Sequence, residues 1–189
     1  NYGGTANITN STVSGNSARN GGGIVNDGTT NLTNSLISGN TATNLDNAID
    51  VNGGTIVNSY GTINSTNNLF GESNKTNAEA FANFTPSADD INATSDGTNT
   101  PLANILDTTN DLQNNGGSTE TIALVAGSPA IDAGSNDANI SLRESDFNLD
   151  LVDLNDDGDT DDTITEPQQI AFDQRGDGFP RVFNGTIDI

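Results

Sequence analysis

Residues 8–16 read ITNSTVSGN and residues 32–40 read LTNSLISGN, so one pattern returns after 24 residues. A third and more divergent copy, IVNSYGTIN, occupies residues 56–64 after a further 24 residues. A fixed period of this length is typical of stacked repeats. The aligned columns are Ile8, Leu32 and Ile56; Asn10, Asn34 and Asn58; Ser11, Ser35 and Ser59; and Asn16, Asn40 and Asn64.

The repeats have the composition of short strands joined by turns. They are poor in Leu, Ala, Glu and Lys and rich in Asn, Gly, Ser and Thr, which disfavours pairs of helices. Short β-prone runs such as Leu36-Ile37 are closed by turn formers such as Ser38-Gly39-Asn40. One such unit fits one coil of a parallel β-helix, in which equivalent strands of successive coils lie about 4.8 Å apart. The sequence therefore predicts an all-β solenoid with an inward aliphatic column and an asparagine ladder.

Composition and charge limit the partners. The 189 residues carry a formal net charge of −21 with only five basic residues, which disfavours nucleic acid as a partner. There is no cysteine and no run of 18 apolar residues, so the sequence predicts neither disulfides nor a membrane span. The chain opens in mid-pattern at Asn1, without an initiator methionine or a signal peptide. We therefore expect a piece of one continuous domain cut from a longer protein.

Three regions differ in character along the chain. Residues 1–72 carry the regular coils, and the glycine triplet 21–23 is expected at a coil corner where backbones crowd. Residues 73–115 lose the period and are either an excursion from the solenoid or degenerate coils. There, residues 79–84 could form a short helix or a strand. Residues 116–189 are expected to form the last coils and an irregular cap, beginning with a strand at Thr121-Ile122-Ala123-Leu124-Val125.

Several terminal motifs accompany the coils. NSTVSGN at 10–16 and the glycine triplet are followed by GSPAIDAG at 127–134, DQRG at 173–176 and FPRV at 179–182. This ordered combination resembles bacterial extracellular β-helix proteins called choice-of-anchor Q proteins, related in their repeats to polymorphic outer membrane proteins. The resemblance covers residues 1–70 and 114–189, and an acidic insertion between Gly134 and Asp173 departs from it. It implies a right-handed parallel β-helix, secretion, and a surface or adhesive role without known catalysis.

Two arginines of the terminal motifs, Arg175 and Arg181, are expected to hold the last coil shut. Both lie close in sequence to acidic residues, and a guanidinium paired with a carboxylate makes strong hydrogen bonds. The candidate partners are Asp132, Asp173 and Asp188. Such pairing would cover an otherwise open strand edge.

The acidic insertion contains a candidate calcium loop. Residues 137–166 hold 11 of the 26 acidic residues of the chain. Residues 153–161 follow the pattern D-x-[DN]-x-D-G-x-x-D, in which alternate oxygen ligands converge on Ca²⁺ and the glycine permits a sharp turn. The twelfth position is Ile164 instead of the bidentate glutamate of an EF-hand, so the closing ligand must come from elsewhere. The alternative is a solvated acidic loop. The candidate ligands are Asp153, Asn155, Asp157, Asp159, Asp161, Asp162 and Glu166.

Two classes of function follow. The first is a non-catalytic structural or adhesive module on the bacterial cell surface or outside the cell. It would be stabilised by Ca²⁺, and its partners would be cell-surface components or copies of itself stacked end to end as a filament. Light scattering that finds only monomers at high concentration would contradict self-association. The alternative is a polysaccharide lyase or hydrolase, or a glycan-binding module. The regular coils disfavour an enzyme, because Asp27, Asp46 and Asp50 form no stacked acidic cluster and Arg19 is the only base.

Overall fold

Strands predominate in the part of the chain that the computed structural model describes. This part comprises residues 1–43, 55–72, 74–97, 101–107, 112–136, 175, 179–180, 182–183 and 186–187. The strands are β1 (Thr5–Thr9), β2 (Thr12–Ser14), β3 (Ser17–Ala18), β4 (Ile24–Asn26), β5 (Thr29–Thr33), β6 (Leu36–Ser38), β7 (Thr41–Ala42), β8 (Ile56–Asn58), β9 (Thr62–Thr66), β10 (Leu69–Gly71), β11 (Phe81–Ala82), β12 (Ile91–Asn92), β13 (Val182–Phe183) and β14 (Thr186–Ile187). Helical structure in the same residues is limited to α1 (Asn77–Ala80) and a 3-10 helix at Leu102–Asn104.

Most of these strands belong to parallel sheets, which confirms the predicted all-β character. Sheet A has the order β1-β5-β9, sheet B the order β2-β6-β10-β12, and sheet C the order β4-β8-β11. Strands β3 and β7 form a further parallel pair, while β13 and β14 pair antiparallel. Neighbouring strands in each sheet come from successive stretches of the chain. We call residues 5–18, 24–42 and 56–71 repeats 1, 2 and 3.

The predicted alignment is correct for repeats 1 and 2 and wrong for repeat 3. Ile8 pairs with Leu32, at the predicted offset of 24. Leu32 then pairs with Ser65 instead of Ile56, because the offset has grown to 33. Ile56 lies in sheet C beside Ile24. The chain between β7 and β8 is 13 residues long, against five between β3 and β4, and this extra length shifts the register.

The predicted asparagine column Asn10, Asn34 and Asn58 changes in the same way. The Asn34 side-chain amide donates to Asn10 Oδ1 at 3.2 Å, as expected. Asn67, which directly follows the partner of Thr33, continues this column in place of Asn58. All three have left-handed backbone, with φ of 53°, 49° and 54° in chain order. They mark the corner between sheets A and B, where asparagine tolerates positive φ better than other non-glycine residues.

The two other predicted columns also hold only for repeats 1 and 2. Ser35 lies beside Ser11, but Ser59 lies elsewhere and Asn68 continues that column. Asn40 lies beside Asn16, and Glu72 continues it. Asn64, predicted for this column, donates instead to Asn31 Oδ1 at 2.8 Å on sheet A. Asn58 accepts from Asn26 in a separate ladder at 2.9 Å.

The apolar core consists of two clusters on opposite faces of sheet B. Ile37 and Phe70 belong to the first cluster, together with Leu32 and Ile56, and all four are at most 1% exposed. Leu36 and Leu69 point to the other face. Their cluster is completed by residues from further along the chain, namely Ala93, Ile105, Leu106 and Ala130. Sheet B is therefore covered on both sides, which explains adjacent apolar residues within its short strands.

Residues 77–93 add strands to the sheets formed by repeat 3. The capping box of Thr76 and Glu79 starts the single turn α1, and strand β11 follows at once, so both predicted structures occur in turn. Hydrogen bonds from the Thr76 backbone N–H and hydroxyl lower the pKa of Glu79. Strand β11 pairs in parallel with β8, and β12 with β10. This pairing supports the degenerate-coil alternative for residues 77–93.

The strand predicted at residues 121–125 is wrong. Thr121 forms an isolated antiparallel bridge with Gln113, and Leu124 another with Leu106. Ile122 and Leu124 are partly buried against the second apolar cluster. The apolar residues that suggested a strand are thus accommodated by packing over sheet B, without a continuous ladder.

The glycine triplet lies at a crowded corner, as predicted. Gly21 has φ of +55°, and a Cβ on Gly22 would lie 2.5–2.6 Å from the backbone N, C and O of Thr41. We expect Gly22→Ala to lower the free energy of unfolding by about 1–3 kcal/mol, because overpacking forces backbone shifts. Chemical denaturation measures the change. Gly4→Ala is the matched control, since its nearest contact is 3.7 Å away, and equal losses in the two variants would contradict crowding at Gly22.

Candidate functional site

A polar ladder runs along the corner between sheets A and B and ends in a carboxylate. The backbone N–H of Ser11 donates to Ser35 Oγ at 3.2 Å, and the N–H of Ser35 donates to Asn68 Oδ1 at 3.0 Å. The N–H of Asn68 then donates to Asp90 Oδ1 at 2.9 Å. Each side-chain oxygen thus satisfies a backbone donor in the preceding repeat. Asp90, only 7% exposed, is the last acceptor of this ladder.

A second ladder begins at Asn16 and also ends in a carboxylate. The N–H of Asn16 donates to Asn40 Oδ1 at 3.0 Å, and that of Asn40 donates to Glu72 Oε1 at 3.2 Å. The Thr55 hydroxyl donates to the same Glu72 oxygen. Lys75 Nζ lies 2.9 Å from Glu72 Oε2 and donates to the Asn40 carbonyl at 2.6 Å. The buried charge of Glu72 is therefore both paired and hydrogen-bonded, as burial requires.

Glu72 and Lys75 line a cleft of about 460 Å³. The cleft lies beside β6, β7 and β10, and its apolar side is formed by Leu102, Leu106 and Ile122. Both carboxylate oxygens of Glu72 already accept hydrogen bonds from the fold, and Lys75 donates to two partners there. A general acid or base must exchange a proton with a substrate, which these hydrogen bonds oppose. The arrangement is suited to fastening the turn after β10.

The GSPAIDAG segment covers one face of sheet B through contacts that the sequence did not suggest. Ala130 is fully buried in the second apolar cluster. The side-chain amide of Asn34 donates to the Ser135 carbonyl, and Asn34 Oδ1 accepts from the Ser135 N–H, both at 2.8 Å. Asn67 donates to the Ala133 carbonyl at 2.9 Å. The corner asparagines therefore hold this segment in place, across about 100 residues of chain.

The outward face of sheet A carries a regular array of threonine and asparagine. Asn7, Asn31 and Asn64 lie in register, and their side chains are joined by hydrogen bonds of 2.7 and 2.8 Å. Threonines flank each asparagine two residues before and after it. The alternate residues of these strands point inward, as the buried Thr30 and Leu32 show. The threonines are Thr5, Thr9, Thr29, Thr33, Thr62 and Thr66.

The predicted calcium ligands, from Asp153 to Glu166, lie outside the described residues. Within the residues that are described, no three Asp, Glu, His or Cys side chains come together as a metal site. Arg175 has its guanidinium 4.2 Å from the ring centroid of Phe179, a cation–π contact. Arg181, Asp173 and Asp188 are outside the described residues, so the pairing of these arginines with carboxylates stays a prediction.

Comparison with protein-family models, with curated proteins and with solved structures finds no match for this chain. Among the residues that the structure describes, no helix is long and apolar enough to cross a membrane. The function is therefore inferred from the sheets, the ladders and the exposed faces.

Proposed function

We propose that the chain is a right-handed parallel β-helix that acts as a structural or adhesive module outside the bacterial cell or on its surface. One observation carries the proposal. Sheets A, B and C each take one strand from each successive turn of the chain, in parallel and in register. Parallel connections within a sheet are right-handed in about 98% of cases. The resemblance of the repeats and terminal motifs to extracellular β-helix proteins supports the location and the surface role.

The polar ladders support a structural role over a catalytic one. Their amides, hydroxyls and carboxylates are occupied in holding one repeat to the next, and Glu72 and Asp90 are each engaged by several donors. An inverting glycosidase needs two carboxyl groups about 6.5–9.5 Å apart with room for water between them. In the described ranges the cleft residues do not offer such a free pair, and we propose a non-enzymatic module.

We further propose that Ca²⁺ stabilises this module through the loop containing Asp153, Asn155 and Asp157. The support comes from the ligand spacing and from the repulsion among many carboxylates in a short stretch. For a dissociation constant of about 0.1 mM, about 2 mM calcium stabilises the folded chain by about 2 kcal/mol. A chain of this size should then melt about 4–7 °C higher, as measured by circular dichroism against an excess of chelator.

A variant pair locates the ion. The double substitution Asp153→Ala with Asp157→Ala should abolish the calcium-dependent rise in melting temperature. The double substitution Asp89→Ala with Glu120→Ala removes the same charge at exposed positions and should leave the rise unchanged. A melting temperature of the unmodified chain that calcium does not alter would make the insertion a solvated acidic loop. The parallel sheets and their structural role do not depend on that result.

A further inference from the structure

The outward face of sheet A is a flat array with nine side chains in three rows. The rows run from repeat to repeat as threonine, asparagine and threonine, with Thr33, Asn31 and Thr29 in the middle strand. Neighbouring strands lie about 4.8 Å apart, and residues two positions apart on a strand are separated by about 6.6 Å. The face therefore measures about 10 by 13 Å and repeats in two directions.

The side chains of this array are held in fixed positions. Each of the two asparagine contacts, Asn31 to Asn7 and Asn64 to Asn31, restricts the amides of the middle row. The threonines are β-branched and have few χ1 rotamers on a strand. The inward side of the same strands is anchored by Leu32, which is 1% exposed. A ligand that binds here would meet a surface that loses little side-chain entropy on binding.

The face is neutral in a strongly acidic protein. None of its nine residues is charged, although the chain has a net charge of −21. In contrast to sheet B, whose outer face is covered by the segment around Ala130, the outward residues of sheet A include exposed positions on β1 and β9. Asn7, Asn64 and Thr66 are among these exposed residues. A neutral, repeating face matches a ligand that is itself neutral and repeating.

We propose that this face binds ice. Its two spacings lie close to the repeats of the water oxygens on the faces of hexagonal ice. Threonine hydroxyls and asparagine amides can hydrogen-bond to ordered water, and the threonine methyl groups restrict the water beside them. A crystalline neutral polysaccharide also repeats, but sugar rings pack on aromatic side chains, and none of the nine residues is aromatic.

The small area sets the expected effect. Three rows of three residues should slow the recrystallisation of ice and shape single crystals, with little depression of the freezing point. The test measures the lowest protein concentration that inhibits recrystallisation in a frozen thin film. Thr33→Lys places a charge in the array, and this concentration should rise at least about tenfold. Thr12→Lys, an equal charge change at an exposed strand residue of sheet B, should alter it less than about twofold.

Thermal melts establish that each variant is folded, and Thr66→Lys, at an exposed position of the same array, replaces Thr33→Lys if the latter unfolds. Loss of inhibition in the array variant alone supports ice binding. The proposal is overturned if the unmodified chain inhibits no better than an unrelated acidic protein. Equal effects of the sheet A and sheet B variants would also overturn it. Retention on crystalline cellulose or chitin without any effect on ice would assign the face to a glycan instead. None of these results alters the structural role proposed for the sheets.

Discussion

Replacing Phe70 with alanine is expected to lower the free energy of unfolding by about 3–5 kcal/mol, among the largest effects of any single substitution in this chain. Phe70 is fully buried and its ring centroid lies 5.4 Å from that of Phe81 and 5.5 Å from that of Phe84, in edge-to-face contacts. Truncation removes both aromatic contacts and leaves a cavity between sheets B and C. Urea denaturation at a fixed calcium concentration measures the loss.

Tyr60→Ala is the matched aromatic control for this prediction. Tyr60 is 93% exposed, so its removal should change the free energy of unfolding by less than about 0.5 kcal/mol. A loss at Phe70 no greater than the loss at Tyr60 would show that the three rings do not form a packed core. The slope of unfolding free energy against urea should stay the same in both variants if the surface exposed on unfolding is unchanged.

The aromatic cluster lies where sequence periodicity stopped being informative. The offset of 24 predicted the pairing of Ile8 with Leu32, but it placed Ile56 on the wrong sheet. The identical tripeptides at residues 24–26 and 56–58, both Ile-Val-Asn, carried the correct alignment at an offset of 32. A fixed period could not use this match, because stacking conserves strand register while turns tolerate insertions at little entropic cost.

The polar ladders show a second reason why sequence identity is a partial guide. Along one corner the column changes from Ser11 and Ser35 to Asn68 and Asp90. Any side-chain oxygen that reaches the backbone N–H of the preceding repeat can fill such a position. The physical requirement is an acceptor, so residue type need not repeat. A search for identical residues therefore predicted Ser59, which lies outside this column.

The covering of sheet B was only partly accessible from sequence. Adjacent apolar residues in short strands, Leu36-Ile37 and Leu69-Phe70, indicate burial on both faces. The identity of the cover was not predictable, since the contact between Asn34 and Ser135 spans 101 residues. By contrast, the alternation of exposed and buried residues in β5 and β9 marks sheet A as half-exposed, and the face proposed to bind ice follows directly from it.

Removal of the carboxylate that ends the corner ladder is the second large effect that we expect. Asp90→Ala should lower the free energy of unfolding by about 2–4 kcal/mol, because buried donors lose their acceptor. Asp90 Oδ1 accepts from the Asn68 N–H and side-chain amide, both at 2.9 Å. Its Oδ2 accepts from the Ser65 hydroxyl at 2.6 Å and from the Ser87 N–H at 2.7 Å. Water cannot easily replace a residue that is only 7% exposed.

Two variants separate the ladder contact from a general effect of charge. Asp89→Ala removes an adjacent, exposed carboxylate and should change stability by less than about 0.5 kcal/mol. Asp90→Asn keeps an oxygen acceptor for Asn68 but directs an amide toward the donors of Ser65 and Ser87, so its loss should fall between the two. Hydrogen exchange gives the local readout, since the Asn68 amide should lose protection in Asp90→Ala and retain it in Asp89→Ala. Equal stability of the two alanine variants would mean that the ladder does not depend on its terminal carboxylate, and that the backbone pairing of sheets A and B alone holds this corner together.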